Sequence, residues 1–512
     1  MHTHEGCCGC AGDAMGRRSF LAAVGGMTAA STLVAPFASA APAARMRPNL
    51  GKKQVPLVVQ PALTYHIYER REQTSWRPWG GIHTEADASR EMQRIDTELA
   101  ELKSKAEFPL EIRPCARVRN AQEAAPLRDG DADLMLVYGA SGEIEPLIKP
   151  ERYNMVFCRH STGPVYLWYE IAHPRLLRKA VDEYGQPGLA PEDVVVDNYD
   201  DVLWKLRSLA ALQNTVGSRI VVIGAPSGWG HGGQQAPEIA ANIWKLDMRT
   251  VPYDDLGKRI ESANKEPERV ARCEAAAAQY LKQSGISLHT ATEFVSRAYL
   301  LTEVFEDLME EHDAPAMTIN ECMTTIMPMS QTTACMCLTF INDSGAMAFC
   351  ESDFVVIPSG ILLKNIAGTP VFLNDPTYPH DGQITLAHCT APRRMDGKKL
   401  EPAKIMTHFE SDYGAAPMVK MDVGHEVTVL DPDFGNQRWI GFKGKILDNP
   451  ELDICRSQVD VSIEGDWRLL AQEMRGFHWM MSYGDHLKET GYALRKMGVN
   501  WLNLTTERTI EA

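Results

Sequence analysis

The chain has 512 residues, 44% of them apolar and 23% charged, with a formal net charge of −15. That length predicts roughly two to four domains of an ordinary globular composition. The acidic balance, with no compensating basic block, excludes general binding to nucleic acid or to an anionic membrane surface, and no internal apolar run reaches the roughly 18 residues of a membrane-spanning helix.

In chain order, the first signal is "GRRSFLAAVGGMTAASTLVAPFASA". Arg17 and Arg18 precede Ser19, Phe20 and Leu21, an Ala/Gly-rich apolar stretch follows, and Ala38-Ser39-Ala40 has the small-x-small form of a cleavage site. This predicts a twin-arginine signal over residues 1–40 and export of the folded chain to the periplasm or extracellular space. Folding before export would let a weakly held ion such as Mn²⁺ be installed away from Cu²⁺ and Zn²⁺, which win on intrinsic affinity. Cys7, Cys8 and Cys10 form a "CCGC" cluster inside the segment expected to be removed. The other nine cysteines are odd in number and lack repeated CxxC spacing, so they read as small buried hydrophobes rather than a disulfide framework.

Three regions follow. Over 54–215, "QVPLVVQPAL", "FPLEIRPCARV" and "DADLMLVYGA" read as strands and "ADASREMQRIDTELAELKSKA" as a helix, an alternation that predicts a parallel sheet. Over 216–392, "SRIVVIGAPSGWG" opens a second α/β region. Its Gly-rich turn, "GAPSGWGHGG", matches neither nucleotide-binding pattern, and a tight strand-to-helix turn is expected there. Over 393–512, the short alternating segments "KIMTHFES", "EVTVLDPD", "RWIGFKGKILD" and "CRSQVDVSI" predict an antiparallel barrel, closed by a strand–helix–strand unit from "FHWMM" onward. The expected architecture is thus two doubly wound, Rossmann-like parallel-sheet domains and a smaller barrel-like domain.

The chemistry concentrates around "SGAMAFCESDFVVIPSG". "AMAFC" reads as a strand, "FVVIPSGILLKNIAG" as a helix ending at Gly368, and "TPVFLND" as the next strand. Glu351 and Asp375, 24 residues apart, then stand at the carboxyl ends of two parallel strands, the edge where open α/β sheets bind ligands. "QITLAHC" brings His388 to the end of a third strand, 13 residues after Asp375, and "GFHWMM" offers His478. Two carboxylates and two imidazoles suit Mn²⁺, Mg²⁺, Fe²⁺ or Co²⁺.

The segments "CESDF", "IAGTPVFLNDP" and "ITLAHC" resemble the fucose/arabinose isomerase family, and the resemblance extends through the barrel-like region to "FHWMMSYGDHLKETGYALRKMGV". It implies a metal-dependent aldose–ketose isomerase in which Mn²⁺ lies beneath the sugar. Glu351 matches the family's first metal-binding acid/base, Asp375 the second carboxylate as in the fucose branch, and His388 and His478 the histidines used in the arabinose branch. Phe477 stands where the family often carries the first of two paired histidines. The resemblance also implies a homo-oligomer, a trimer or hexamer, in which a neighbouring subunit's first domain completes the site. Trp76, Arg77 and Trp79 of "SWRPWGG", and Asn320 and Glu321 at the end of "AMTINEC", are the candidate sugar contacts. With no cluster of Arg and Lys to take a phosphate, a free sugar is expected. An exported sugar-binding member without activity, and another metal-dependent sugar epimerase or lyase, remain as alternatives.

Overall fold

The computed structural model describes residues 54–77, 80–181, 187–506 and 508–510. The segment read as an export signal, with Cys7, Cys8 and Cys10, lies outside the described residues, and so does Trp79. The described chain divides into two compact units, Gln54–Asn214 and Thr215 onward.

In Gln54–Asn214 the strands are β1 (Leu57–Thr64), β2 (Leu110–Ile112), β3 (Ala116–Val118), β4 (Leu134–Gly139), β5 (Tyr153–Cys158) and β6 (Val194–Val196). They form one parallel sheet in the order β2-β1-β4-β5-β6, with β3 also on β1. Its helices are α1 (Glu85–Ser104), α2 (Ala121–Arg128), α3 (Leu167–Val181) and α4 (Tyr199–Thr215), the last residue of α4 opening the next unit. Helix α1 begins where Thr84 and Asp87 cap one another's backbone, and it buries Ala88, Glu91, Ile95, Leu99 and Leu102, one stripe at helical spacing. The buried Arg159 ion-pairs with Glu91 and Glu98 of α1 at 2.5 and 2.7 Å, just past the carboxyl end of β5.

The second unit starts with β7 (Arg219–Ile223), α5 (Ala236–Ile243), β8 (Asp247–Val251), α6 (Tyr253–Asn264), α7 (Pro267–Tyr280), β9 (Ile286–Leu288), α8 (Thr292–Glu311), β10 (Ala316–Ile319), α9 (Met327–Ser330), α10 (Cys335–Asp343), β11 (Met347–Cys350) and α11 (Ile357–Ala367). A four-stranded parallel sheet runs β11-β10-β7-β8. Next come β12 (Phe372–Pro376), β13 (Gln383–His388), β14 (Ala403–Met406), β15 (Ala416–Val419), β16 (Glu426–Pro432), β17 (Arg438–Asp448), β18 (Ser457–Ser462), α12 (Trp467–Glu473), β19 (Trp479–Tyr483), α13 (Leu487–Lys496), β20 (Asn500–Asn503) and β21 (Arg508–Ile510). Strands β16, β19, β12, β13, β18 and β17 pair antiparallel in that order, and β17 returns to β16, which closes a six-stranded barrel. Strands β20 and β21 extend it from β17, while β14 forms a small sheet with β15 and β9.

The barrel therefore begins at β12, upstream of residue 393, and the expected crossover does not occur. Strand β12 pairs antiparallel with β13 and β19 instead of returning beside β11. The cause is α11, which is largely apolar, buries residues around nearly its whole circumference and needs cover on two faces. A Cβ on Gly360 would lie 2.5 Å from Phe349 of β11 and 2.6 Å from Met480 of β19, so α11 is pressed between sheet and barrel. A single core runs from Val221 and Ile223 of the sheet to Phe372, Ile384, Phe442 and Trp479 of the barrel. Among the described residues no helix is long and apolar enough to cross a membrane.

Candidate metal centre

Glu351, Asp375, His388 and His478 come together where the carboxyl edge of the four-stranded sheet meets one rim of the barrel. Register does the barrel's part: Asn374 stands opposite Trp479 and Asp375 opposite Ala387, so Asp375, His388 and His478 share one level. Glu351 arrives from the end of β11 on a left-handed turn, with φ of +63° at Glu351 and +48° at Ser352. Non-glycine residues hold that conformation at a cost of order 1–3 kcal/mol and only when the surroundings impose it. Here Ser227 imposes it, bridging to Asp353 and receiving the Phe354 amide at 3.0 Å while its own amide donates to Ser352 O at 3.2 Å.

Glu351, His388 and His478 are buried, Asp375 is half-buried, and the four side chains lie close together. His478 Nε2 lies 3.2 Å from Asp375 Oδ1 and 3.5 Å from Glu351 Oε2, and His388 Nε2 lies 3.9 Å from Glu351 Oε1. Single donor atoms of Asp375, His388 and His478 fall within 4.8 Å of one another, as do those of Cys350, Glu351 and His388. Both Asp375 oxygens and His478 Nε2 are buried, with the ion pairs inside this cluster as their polar contacts. Buried carboxylates left that way are costly unless a cation sits among them. Ligands about 2.1 Å from one ion are at most about 4.2 Å apart, so this donor set fits a single divalent ion after small side-chain adjustments.

Neighbours fix the ligands. His478 Nδ1 is 2.8 Å from Asp353 Oδ2, and Asp353 is fully buried, which points the other nitrogen, Nε2, at the carboxylates. His388 Nδ1 meets the Thr390 hydroxyl at 2.9 Å and is oriented the same way. Burial opposes charge on His478, but Asp353, Asp375 and Glu351 outweigh it and hold the imidazole well above its usual pKa. The same negative field would hold a cation.

The Gly-rich segment after β7 is a wall of the site rather than only a turn. The Trp229 indole donates to Glu351 Oε2, and its ring stacks on Phe477 with centroids 4.3 Å apart and an 8° interplanar angle. The segment can fold this tightly because a Cβ on Gly228 would meet Gly233 O at 2.1 Å. Trp229, Asp353, Thr390 and Cys350 carried no functional role in the sequence reading. Their signals were the aromatic residue among glycines and the second carboxylate of "ESD".

The sugar-contact candidates divide. Asn320 directly follows β10 and its amide lies 3.4 Å from Ser227 Oγ, while Glu321 is exposed, with φ of +49°, and accepts from Thr325 Oγ1 at 2.6 Å. Trp76 and Arg77 belong to the other compact unit, where the guanidinium lies 5.4 Å from the Trp76 ring centre. No protein-family model matches the chain and no curated protein matches it, so function has to be drawn from the site itself.

Proposed function

We propose that the chain is a metal-dependent aldose–ketose isomerase acting on a free, fucose- or arabinose-like sugar, and that each of its two parallel sheets belongs to a doubly wound, Rossmann-like domain. The observation that carries this reading is the meeting of two carboxylates with two oriented imidazoles, His478 Nε2 lying 3.2 Å from Asp375 and 3.5 Å from Glu351 while His388 Nε2 lies 3.9 Å from Glu351. Glu351, Asp375, His388 and His478 would hold a divalent ion of the Mn²⁺ class, which supplies Lewis-acid polarisation of a carbonyl and the adjacent hydroxyl.

The residues of the chain divide the remaining work. Isomerisation through an enediol needs one proton moved from C2 to C1 and another moved between the two oxygens. Glu351 and Asp375 are the two carboxylates within reach, and each such transfer contributes about 10²–10⁴-fold. Trp229 holds one Glu351 oxygen, which restricts the other to face His388. The Trp229–Phe477 stack offers an apolar face of the kind that packs on the C–H side of a sugar, and it excludes water from Glu351. The reading carries with it a homo-oligomer and export of the folded chain.

Glu351→Gln keeps the volume and the Trp229 contact but removes an ionisable acid. We expect an aldose panel with Mn²⁺ to show ketose formation by wild type, with solvent deuterium at C1, and a loss of at least 10³-fold in the variant with unchanged melting. Wild-type turnover in Glu351→Gln would overturn the assignment, and no ketose from any aldose would favour the non-catalytic reading.

A further inference from the structure

Beside the carboxylates lies a pair of thiols. Cys350 ends β11 opposite Ile319, the last residue of β10, and Cys322 opens the turn that follows three residues on. The two Sγ atoms are 3.4 Å apart. Both residues are thiols in this structure, Cys322 half-buried and Cys350 buried. The pair is framed by left-handed residues, Glu321 before Cys322 and Glu351 after Cys350, so both chains turn sharply at this point. The Cys350 sulfur is also one of the three donor atoms grouped with Glu351 and His388. Both cysteines line a cavity of about 20 Å³, room for one water or ion, together with His388, Cys335, Cys389 and Cys455.

We propose that Cys322 and Cys350 are a reversible dithiol–disulfide couple, closed by exchange with a small-molecule disulfide, and that closure withdraws the Cys350 sulfur from Glu351 and His388 and weakens the hold on a soft divalent ion. The second half rests on the reading of the site as a metal centre. A disulfide needs its sulfurs about 2.05 Å apart, so closure asks for a movement of roughly 1.4 Å, the scale of a side-chain rotation. Open, Cys350 adds a thiolate to an oxygen-and-imidazole set and turns preference toward Zn²⁺ or Co²⁺; closed, it leaves the harder set that suits Mn²⁺.

The chemistry balances. Cys322, the more accessible thiol, attacks as the thiolate on one sulfur of the small disulfide, whose S–S bond breaks and releases one small thiol. Cys350 gives its proton to solvent and attacks Cys322 Sγ, which expels the second small thiol. The protein thiols lose two electrons and two protons, and the small disulfide gains both. A dithiol reductant reverses each step.

The test uses the full chain and oxidised glutathione. After treatment and alkylation, peptide mapping should find Cys322 linked to Cys350, reopened by dithiothreitol and absent in Cys322→Ser. Both cysteines alkylated, or Cys350 linked to Cys335, Cys389 or Cys455, would overturn the couple. Cobalt(II) is the second probe. Reduced wild type should show a thiolate-to-cobalt charge-transfer band that oxidation abolishes, with affinity lowered at least tenfold, and Cys322→Ser should keep both after the same treatment. Unchanged cobalt binding in the linked protein would overturn the withdrawal. Absence of cobalt binding by reduced wild type would overturn the metal-centre reading, while the peptide map still decides the couple.

Discussion

Asp353 has no access to water, so its acceptors must all be used by neighbours. One oxygen receives the amides of Trp229 at 3.2 Å and Val355 at 3.1 Å, and the other faces His478 Nδ1 at 2.8 Å. That last contact decides which imidazole nitrogen is left to bind a cation. Asp353→Asn can keep the two amide bonds through its carbonyl, but it turns an N–H toward Nδ1 and forces the proton onto Nε2. We expect divalent-metal affinity by calorimetry to fall about 10–100-fold with little change in melting. Unchanged affinity would mean that Nε2 is available whatever Asp353 does. The sequence made Glu351 conspicuous at the end of an apolar strand, whereas Asp353, two residues on, acquires meaning only from a partner 125 residues away. Local spacing cannot supply that, and the left-handed turn at Glu351 and Ser352 breaks the strand alternation from which its direction would be read.

Helix α11 shows the same limit one level up. Strand and helix signals from 347 to 388 were legible, as were the four residues that meet, yet the connection between them was not. A strand–helix–strand run ordinarily returns to its own sheet, but α11 buries Ile357, Ile361, Leu362, Leu363 and Ile366 around its circumference. A helix without a polar face was the sequence sign that a second layer must cover it. Gly360 measures how tightly. An alanine there gains about 1 kcal/mol of helix propensity, but its methyl would press on Phe349 at 2.5 Å and Met480 at 2.6 Å. Overpacking of that kind costs about 1–3 kcal/mol, so crowding wins and Gly360→Ala should lower the melting temperature. A rise would show that the sheet–barrel junction yields easily and that Glu351 and Asp375 are less rigidly held than their positions imply.

Each compact unit has its own apolar core, one built from residues such as Ala62, Val137 and Val156, the other from the sheet-to-barrel cluster. The two also carry ionisable groups of opposite character. In the unit from Thr215 onward, burial raises Asp343 to a pKa of about 7 against the backbone amides of Arg394 and Arg393, and raises Asp431 to about 8 against those of Gly476 and Arg475. An acid raised in this way keeps a proton in the folded state that the unfolded chain has already released. Its stabilising effect is complete below about pH 4 and is lost as pH climbs to the folded value, by at most about 1.4 kcal/mol per pH unit and group. In Gln54–Asn214 the displaced groups lie outside that window. Glu98 is lowered, as Arg159 and Tyr199 outweigh its burial, Asp197 is lowered because its burial is outweighed by the Thr162 and Ser161 hydroxyls and the His160 and Ser161 amides together, and Tyr65 is raised to about 12 by burial and Glu85. Scanning calorimetry between pH 5 and pH 8.5 should therefore resolve two transitions. The one belonging to the sheet-and-barrel unit should fall by about 5 °C or more as pH rises, while the other stays nearly fixed. Asp431→Asn, which cannot ionise, should flatten part of that fall. If both transitions moved together the buried aspartates would not be its source, and a full slope in the variant would leave it to Asp343 and to His478, whose raised pKa acts in the same direction.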